Sequence, residues 1–350
     1  MDNKRTGILA SMGPTLEEID DICFALNNGV SNFRIHLGLK TRDYCKYFRN
    51  AVKSAEITKK DIEVLLDLPS SRPRIGKFPG CELKKGDIIK VVNERESNDK
   101  STIPLFGIDK IIPFLHINDY VTFRDGRIKF RIIEIEPTSI KMECVSAILP
   151  LVQMCSCLFM SESVVFEPYI QEDVEALYKI KNEGLVPNWI ALSFASEVEQ
   201  INKLKCMINQ IWPNKPIKTM AKIENRKGIK NLDKLLEVCE GVMVARGDLL
   251  LNINPITLPM CQKQIIDMCK NRGKVSVVAT EVLDSLADKG IINRAELSDI
   301  ALAVRQGASA IMLARESGNS QHAKECIQLL NKIIEIESKN ITFSQLVELI

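Results

Sequence analysis

The stretch that decides the fold is residues 221–250, AKIENRKGIKNLDKLLEVCEGVMVARGDLL. Apolar runs at Ile217–Ile223 and Gly241–Ala245 predict two strands, and the charged segment between them has the length and pattern of a helix. Two parallel strands joined by a helix form a right-handed βαβ unit, in which both strands end at the same rim. Side chains that follow the two strands are therefore expected to lie together.

Charged residues stand at both of these strand ends. Lys222 and Glu224 are two residues apart on an extended chain, so their side chains point to the same face. Because Mg²⁺ binds through one or two carboxylates and leaves places for substrate oxygens, Glu224 and Asp248 are predicted to ligate Mg²⁺ or Mn²⁺. Gly247 lets the backbone approach a ligand closely. A charged surface loop or an adhesion-type Arg-Gly-Asp would leave Lys222 and Glu224 unexplained.

Two segments of this stretch closely resemble pyruvate kinases. That family carries Lys-Ile-Glu-Asn at a strand end, followed by Met-Val-Ala-Arg-Gly-Asp, and the same residues occur here at Lys222–Asn225 and Met243–Asp248. The resemblance implies an enzyme with phosphoenolpyruvate or pyruvate as substrate, ADP or ATP as the second substrate, and Mg²⁺ as cofactor. It also implies glycolysis as the setting.

Composition narrows the class of protein. The chain has 350 residues, of which 45% are hydrophobic and 26% charged, which is typical of a globular protein. A net charge of +2 gives no general attraction to nucleic acid or to an anionic membrane, so neither is expected as a partner. Eleven cysteines without a Cys-x-x-Cys pair, and only three histidines, predict reduced thiols in a cytoplasm and no zinc site.

Strands and helices alternate along most of the chain, which predicts an α/β fold with eight parallel strands, a (β/α)₈ TIM barrel. The predicted strands are Gly7–Ser11, Asn32–His36, Ile62–Asp67, Trp189–Ser193, Ile217–Ile223, Gly241–Ala245, Val275–Ala279 and Ala310–Leu313. The regularity breaks once, after the third strand, where residues 73–167 read as a small all-β lid. Residues 1–72 and 168–350 are assigned to the barrel. The resemblance to pyruvate kinases then implies that the family's C-terminal regulatory domain is lacking and that the barrel could form a homodimer.

The resemblance also implies roles for individual residues. Glu224 and Asp248 would hold Mg²⁺, and Lys222 would stabilise negative charge on the transferred phosphoryl group, because phosphoryl transfer depends on positioning and cations. Three catalytic residues are implied: Lys222, Thr280 on the path of proton delivery, and Arg34 against the phosphate. Substrate binding is implied for Gly247, Asp248, Thr280 and Arg74.

Other motifs depart from the family. The segment after the second strand, Arg34–Lys40, lacks the Asn and Ser that ligate a monovalent cation in the family and the His-Gly pair beside the nucleotide. After the third strand, Asp67-Leu68 and Arg72 resemble the variant whose members need no K⁺. The Arg72 guanidinium, beside Asp67, is therefore predicted to replace the monovalent cation, so that K⁺ is not required.

The departures lie on the nucleotide side and leave the Mg²⁺ and enolate side intact. Three readings remain open. The first is a pyruvate kinase-type phosphotransferase. The second is an enzyme that uses Mg²⁺ for enolisation, decarboxylation or carbon–carbon bond chemistry on a 2-oxo acid. The third is a catalytically silent homologue that acts as a binding module.

Substitution of Arg72 tests the monovalent-cation prediction. An Arg72→Glu protein should gain a requirement for K⁺, because the carboxylate restores the residue type that accompanies K⁺ in the family. The measurement is the rate of ADP phosphorylation with and without K⁺. A variant that remains indifferent to K⁺ would contradict the assignment.

Overall fold

The computed structural model describes residues 5–38, 43–71, 73–124, 126–153, 155 and 157–339. In chain order, its strands are β1 (Gly7–Ser11), β2 (Val30–His36), β3 (Glu63–Leu68), β4 (Ile88–Val92), β5 (Thr102–Pro104), β6 (Tyr120–Phe123), β7 (Ile128–Glu136), β8 (Ser139–Ala147), β9 (Cys157–Phe159), β10 (Trp189–Leu192), β11 (Lys218–Ile223), β12 (Gly241–Ala245), β13 (Val275–Ala279) and β14 (Ala310–Leu313).

The α-helices found in the same residues lie mostly between the barrel strands. They are α1 (Ile19–Asn27), α2 (Tyr44–Thr58), α3 (Gln171–Asn182), α4 (Val198–Ile211), α5 (Arg226–Lys230), α6 (Leu232–Val238), α7 (Arg246–Asn252), α8 (Leu258–Asn271), α9 (Asp284–Lys289), α10 (Arg294–Gln306), α11 (Arg315–Gly318) and α12 (Ala323–Ser338).

Within the described residues, eight strands form a closed parallel barrel in the order β1-β14-β13-β12-β11-β10-β3-β2. Pairing of β1 with β2 closes the ring. The predicted (β/α)₈ barrel with a small all-β insert after the third strand is confirmed. The strands predicted at Gly7–Ser11, Gly241–Ala245, Val275–Ala279 and Ala310–Leu313 match the structure to the residue.

Apolar side chains fill the barrel interior. Every residue of β10, β12 and β14 is buried, as expected for parallel strands that are covered on both faces. One buried cluster lies among the barrel strands and consists of Leu9, Leu65, Trp189, Ala191, Met220, Met243, Val277, Ala279, Ala310 and Met312. The barrel is thus a packed core, and polar side chains can gather only at its rims.

Local signals explain where several helices begin and end. The Asp43 side chain accepts a hydrogen bond from the backbone N–H of Lys46 and caps α2. Asn293 caps α10 in the same way, through the N–H of Ala295. That helix ends at Gly307, whose φ of 86° lies in the left-handed region where glycine is favoured.

The chain divides into two compact units, and the smaller one comprises Ser70–Glu167 together with Leu250–Pro255. Its described strands form a six-stranded sheet in the order β5-β4-β8-β7-β6-β9. Alternate residues of β7 face its core, where the rings of Phe123 and Phe130 pack edge to face with centroids 5.7 Å apart. The opposite face carries ion pairs such as Arg131–Glu143 and Lys141–Glu134.

Two further findings concern membrane-spanning helices and cysteines. No helix in the described part of the chain is long and apolar enough to cross a membrane. None of the eleven cysteines, all of which are described, forms a disulfide bond.

Candidate active site

Asp67, near the carboxyl end of β3, is a fully buried charged residue of the barrel rim. Its side chain has no exposed surface, yet it contacts two cationic groups. Arg34 Nε donates to Asp67 Oδ2 at 2.7 Å, and Lys222 Nζ lies 3.2 Å from Asp67 Oδ1. Burial alone would raise the pKa of Asp67, but the charges of Lys222 and Arg34 outweigh it and hold that pKa well below its ordinary value. Asp67 is therefore a carboxylate at neutral pH.

Strand register brings these groups together. Arg34 of β2 pairs with Leu65 of β3, two residues before Asp67, so a long side chain on β2 reaches the Asp67 carboxylate. A second donor of Arg34, Nη1, bonds Ser11 Oγ at the end of β1, at 2.9 Å. The guanidinium is thus fixed at two points on neighbouring strands.

Lys222, near the end of β11, is buried among oxygen atoms. Its Nζ lies 2.6 Å from Ser193 Oγ and 3.4 Å from Glu224 Oε1, in addition to the contact with Asp67. Burial would lower the pKa of this ammonium, but the negative charges of Asp67 and Glu224 outweigh it, and the pKa is raised. Lys222 therefore carries a fixed positive charge.

Glu224 follows β11 and is 3% exposed. Its Oε2 accepts a hydrogen bond from the backbone N–H of Phe194, at 2.6 Å. Burial raises the pKa of Glu224 to about 7; the positive charge of Lys222 opposes this, and the negative charge of Asp248 adds to it. Asp248, in the first turn of α7, is thus close enough to repel the Glu224 carboxylate.

The carboxylates of Glu224 and Asp248 could together hold a divalent cation. Such a cation would lower the repulsion by Asp248, which adds to the effect of burial on the pKa of Glu224. Among the described residues no group of three or more His, Cys, Asp and Glu side chains could hold a metal ion. Two carboxylates suit Mg²⁺, which usually keeps several positions for water and substrate oxygens, and Mn²⁺ accepts the same ligands.

Thr280 follows β13 and contacts the segment after β12. Its Oγ1 accepts a hydrogen bond from the backbone N–H of Gly247 at 2.7 Å and donates to the carbonyl of Ala279 at 2.6 Å. Gly247 and Thr280, both expected in the site, are thus in direct contact. Binding of a substrate carboxylate at the Gly247 N–H requires the Thr280 hydroxyl to release or share that hydrogen.

Two predicted site residues are not tested by these contacts. Arg74 belongs to the smaller compact unit, where its side chain is exposed. Arg72 lies outside the described residues. The roles predicted for both, in substrate binding and as a replacement for K⁺, remain predictions.

Two contacts of the site were not anticipated from the sequence. Ser11 orients Arg34, and the Phe194 N–H orients Glu224. Ser11 could have been found from its position, because it is the last residue of β1, and Asp67 and Lys222 likewise lie near the ends of β3 and β11. Nothing in the sequence indicated Phe194, because it acts through its backbone N–H, which every residue except proline has.

Comparison with known proteins places the chain in a family. The family model for the barrel domain of pyruvate kinase matches residues 3–327. A pyruvate kinase of Methanocaldococcus jannaschii is 28% identical over 342 residues, which cover 96% of this chain and 70% of that protein. One of Thermotoga maritima is 27% identical over 356 residues, which cover 99% of this chain and 73% of that protein.

A solved structure is similar in fold. The crystal structure of a pyruvate kinase from Cryptosporidium parvum superposes with a TM-score of 0.87, at 23% identity, over 99% of this chain and 72% of that one. At this identity the likeness concerns the fold alone, whereas the family model spans nearly the whole sequence. The chain belongs to the pyruvate kinase family.

Proposed function

We propose that this chain is a Mg²⁺-dependent phosphotransferase that moves a phosphoryl group between phosphoenolpyruvate and ADP in the cytoplasm. The observation that carries the proposal is the buried cation of Lys222, which lies 3.4 Å from Glu224 beside the Glu224–Asp248 pair. Phosphoryl transfer depends on fixed positive charge around the transferred group, and this rim supplies it. The pyruvate kinases among its relatives support the same activity.

The contacts of the rim residues support a role for each of them. Asp67 holds both Lys222 and Arg34, so two cations face the substrate in fixed directions. Lys222 stabilises negative charge on the transferred phosphoryl group, and Arg34 contacts the phosphate. These groups need no reorganisation during the reaction, which is the main source of electrostatic catalysis.

The remaining residues act on the three-carbon part of the substrate, except for Arg72, which replaces an ion. Glu224 and Asp248 would hold Mg²⁺, which supplies a Lewis acid that stabilises negative charge on substrate oxygens. Gly247 and Arg74 would contribute to substrate binding. Thr280 would lie on the path by which a proton reaches the enolate carbon. Arg72 would take the place of K⁺, so that the reaction proceeds without that ion.

A second candidate function is enolate chemistry on another 2-oxo acid. It is favoured by a difference between the two halves of the site. The contacts of Lys222, Glu224 and Thr280 are all formed. The segment Arg34–Lys40, in contrast, lacks the family motif beside the nucleotide. Loss of two such contacts would slow phosphoryl transfer by on the order of 10⁴-fold or more. An enolisation would not need them.

One experiment separates these functions. The protein is incubated in D₂O with Mg²⁺, phosphoenolpyruvate and ADP, without K⁺, and followed by proton and phosphorus NMR. ATP and pyruvate should appear. If no ATP forms, the kinase proposal fails, and pyruvate is added to the same tube. Deuteration of its methyl group faster than in a Glu224→Gln control then establishes an enolate enzyme, and no deuteration leaves a binding module.

The raised pKa of Glu224 predicts a pH-dependent response to Mg²⁺. In the metal-free protein, the folded-state pKa of about 7 exceeds the ordinary value of 4.5, so Glu224 lowers stability as pH rises from about 4.5 to 7. Mg²⁺ competes with the proton, so its Kd rises as pH falls. At a Mg²⁺ concentration about 100 times Kd, binding to the folded chain stabilises it by about 2.7 kcal/mol. Differential scanning calorimetry should show that Mg²⁺ raises Tm more at pH 8 than at pH 6.

Two variants control this measurement. Glu224→Gln should respond weakly to Mg²⁺ at both pH values, because the buried carboxylate is gone. Glu63→Gln, at the other end of a barrel strand, should respond like the unmodified chain. An equal Tm increase at pH 6 and pH 8 in the unmodified chain would contradict the assignment of Glu224 as a ligand.

A further inference from the structure

The segment that carries Thr280 holds an unusual backbone conformation. Thr280 has φ of 72° and Glu281 has φ of 53°, so two consecutive residues with side chains lie in the left-handed region. That region is costly for a β-branched residue such as threonine. Such a conformation persists only when surrounding contacts impose it, and it is found most often at functional sites.

A buried guanidinium holds the carbonyl groups of this segment. Arg246 donates from Nε to the carbonyl of Ala279 at 3.3 Å, and from Nη2 to the carbonyls of Thr280 at 2.8 Å and Glu281 at 3.4 Å. The guanidinium is itself fixed by an ion pair with Asp299. Three successive carbonyls are therefore directed at one cation.

A buried carboxylate holds the amide groups that follow. Glu316 has no exposed surface, and its Oε1 accepts from the N–H of Val282 at 3.0 Å and of Leu283 at 3.5 Å. Its Oε2 accepts from the N–H of Ala314 at 2.7 Å, which ties the carboxylate to the end of β14. Hydrogen bonds to a charged acceptor are about twice as strong as neutral ones.

The two charges bind opposite polar groups of one short loop. The cation of Arg246 takes the carbonyls of residues 279–281, and the anion of Glu316 takes the amides of residues 282 and 283. Arg246 also immediately precedes Gly247, whose N–H bonds the Thr280 hydroxyl at 2.7 Å. The Thr280 hydroxyl thus lies between the Gly247 N–H and a loop whose backbone is held by Arg246 and Glu316.

We propose that Glu316 and Arg246 are positioning residues for the Thr280 hydroxyl, and that they set the rate of proton transfer at the substrate carbon without contacting substrate. This inference rests on the proposed function, in which Thr280 lies on the proton path. It adds two residues that act through the loop. In their absence Thr280 would relax to an ordinary backbone conformation and its hydroxyl would leave the Gly247 N–H.

Glu316→Gln tests this with little change in volume. One oxygen of the carboxylate becomes an NH₂ group, which meets a backbone N–H donor and cannot accept from it. The matched control is Glu240→Gln, because Glu240 also accepts from a backbone N–H, that of Thr219 at 2.7 Å, but precedes β12 at the opposite end of the barrel. Arg246→Lys is the second variant, since an ammonium cannot serve three carbonyls with the geometry of the guanidinium fork.

Two measurements are made on each protein. The first is amide hydrogen exchange of peptides that cover residues 246–249 and 280–284, in the metal-free protein, which needs no turnover. The second is deuteration of the pyruvate methyl group in D₂O with Mg²⁺, over a range of pyruvate concentrations. Glu316→Gln and Arg246→Lys should exchange about tenfold faster in both peptides. Their kcat for deuteration should fall by about tenfold or more, with KM for pyruvate unchanged.

The outcomes distinguish this proposal from the proposed function. Exchange in the two peptides that matches the Glu240→Gln control would overturn the loop assignment. Faster exchange with an unchanged kcat would overturn the positioning role, as would a rise in KM alone. If the unmodified chain does not deuterate pyruvate while the exchange difference persists, the proposed function fails, and the role in proton transfer fails with it.

Discussion

The ion pairs of Asp67 are the interaction on which the rest of the rim depends. A carboxylate with no exposed surface is stable as an anion only where positive charge faces it, and Arg34 and Lys222 supply that charge from β2 and β11. The arrangement works in both directions, because the anion also keeps Lys222 charged despite its burial. The packed barrel interior excludes water and so strengthens these contacts.

The buried carboxylates of Asp67 and Glu224 face different charges. Asp67 is neutralised by its two cations, whereas Glu224 also faces Asp248 and has a raised pKa of about 7. Glu224 and Asp248 thus repel each other beside the fixed cation of Lys222. A divalent cation would lower that repulsion, which supports the proposal of metal-assisted chemistry on a phosphorylated acid.

The sequence predicted the fold well because barrel strands are buried on both faces and read as short apolar runs. Some boundaries were less accurate: β2 begins at Val30 and not at Asn32, because the ends of an element depend on tertiary contacts. The rule that side chains at the ends of parallel strands gather at one rim identified Lys222, Glu224 and Asp248 as candidates. It could not give the contacts of Arg246 and Glu316, because those residues bind backbone groups of a loop whose left-handed conformation is set by tertiary structure.

We propose that the buried cation of Lys222 stabilises negative charge on the transferred phosphoryl group. The most direct measurement compares ADP phosphorylation by Lys222→Met and by Lys218→Met, a variant of the exposed lysine that begins the same strand. Lys222→Met should lose about 10²–10³-fold or more in kcat with its fold retained, and Lys218→Met should stay within about twofold of the unmodified chain. Equal rates for the two variants, or no turnover by the unmodified chain, would contradict the account.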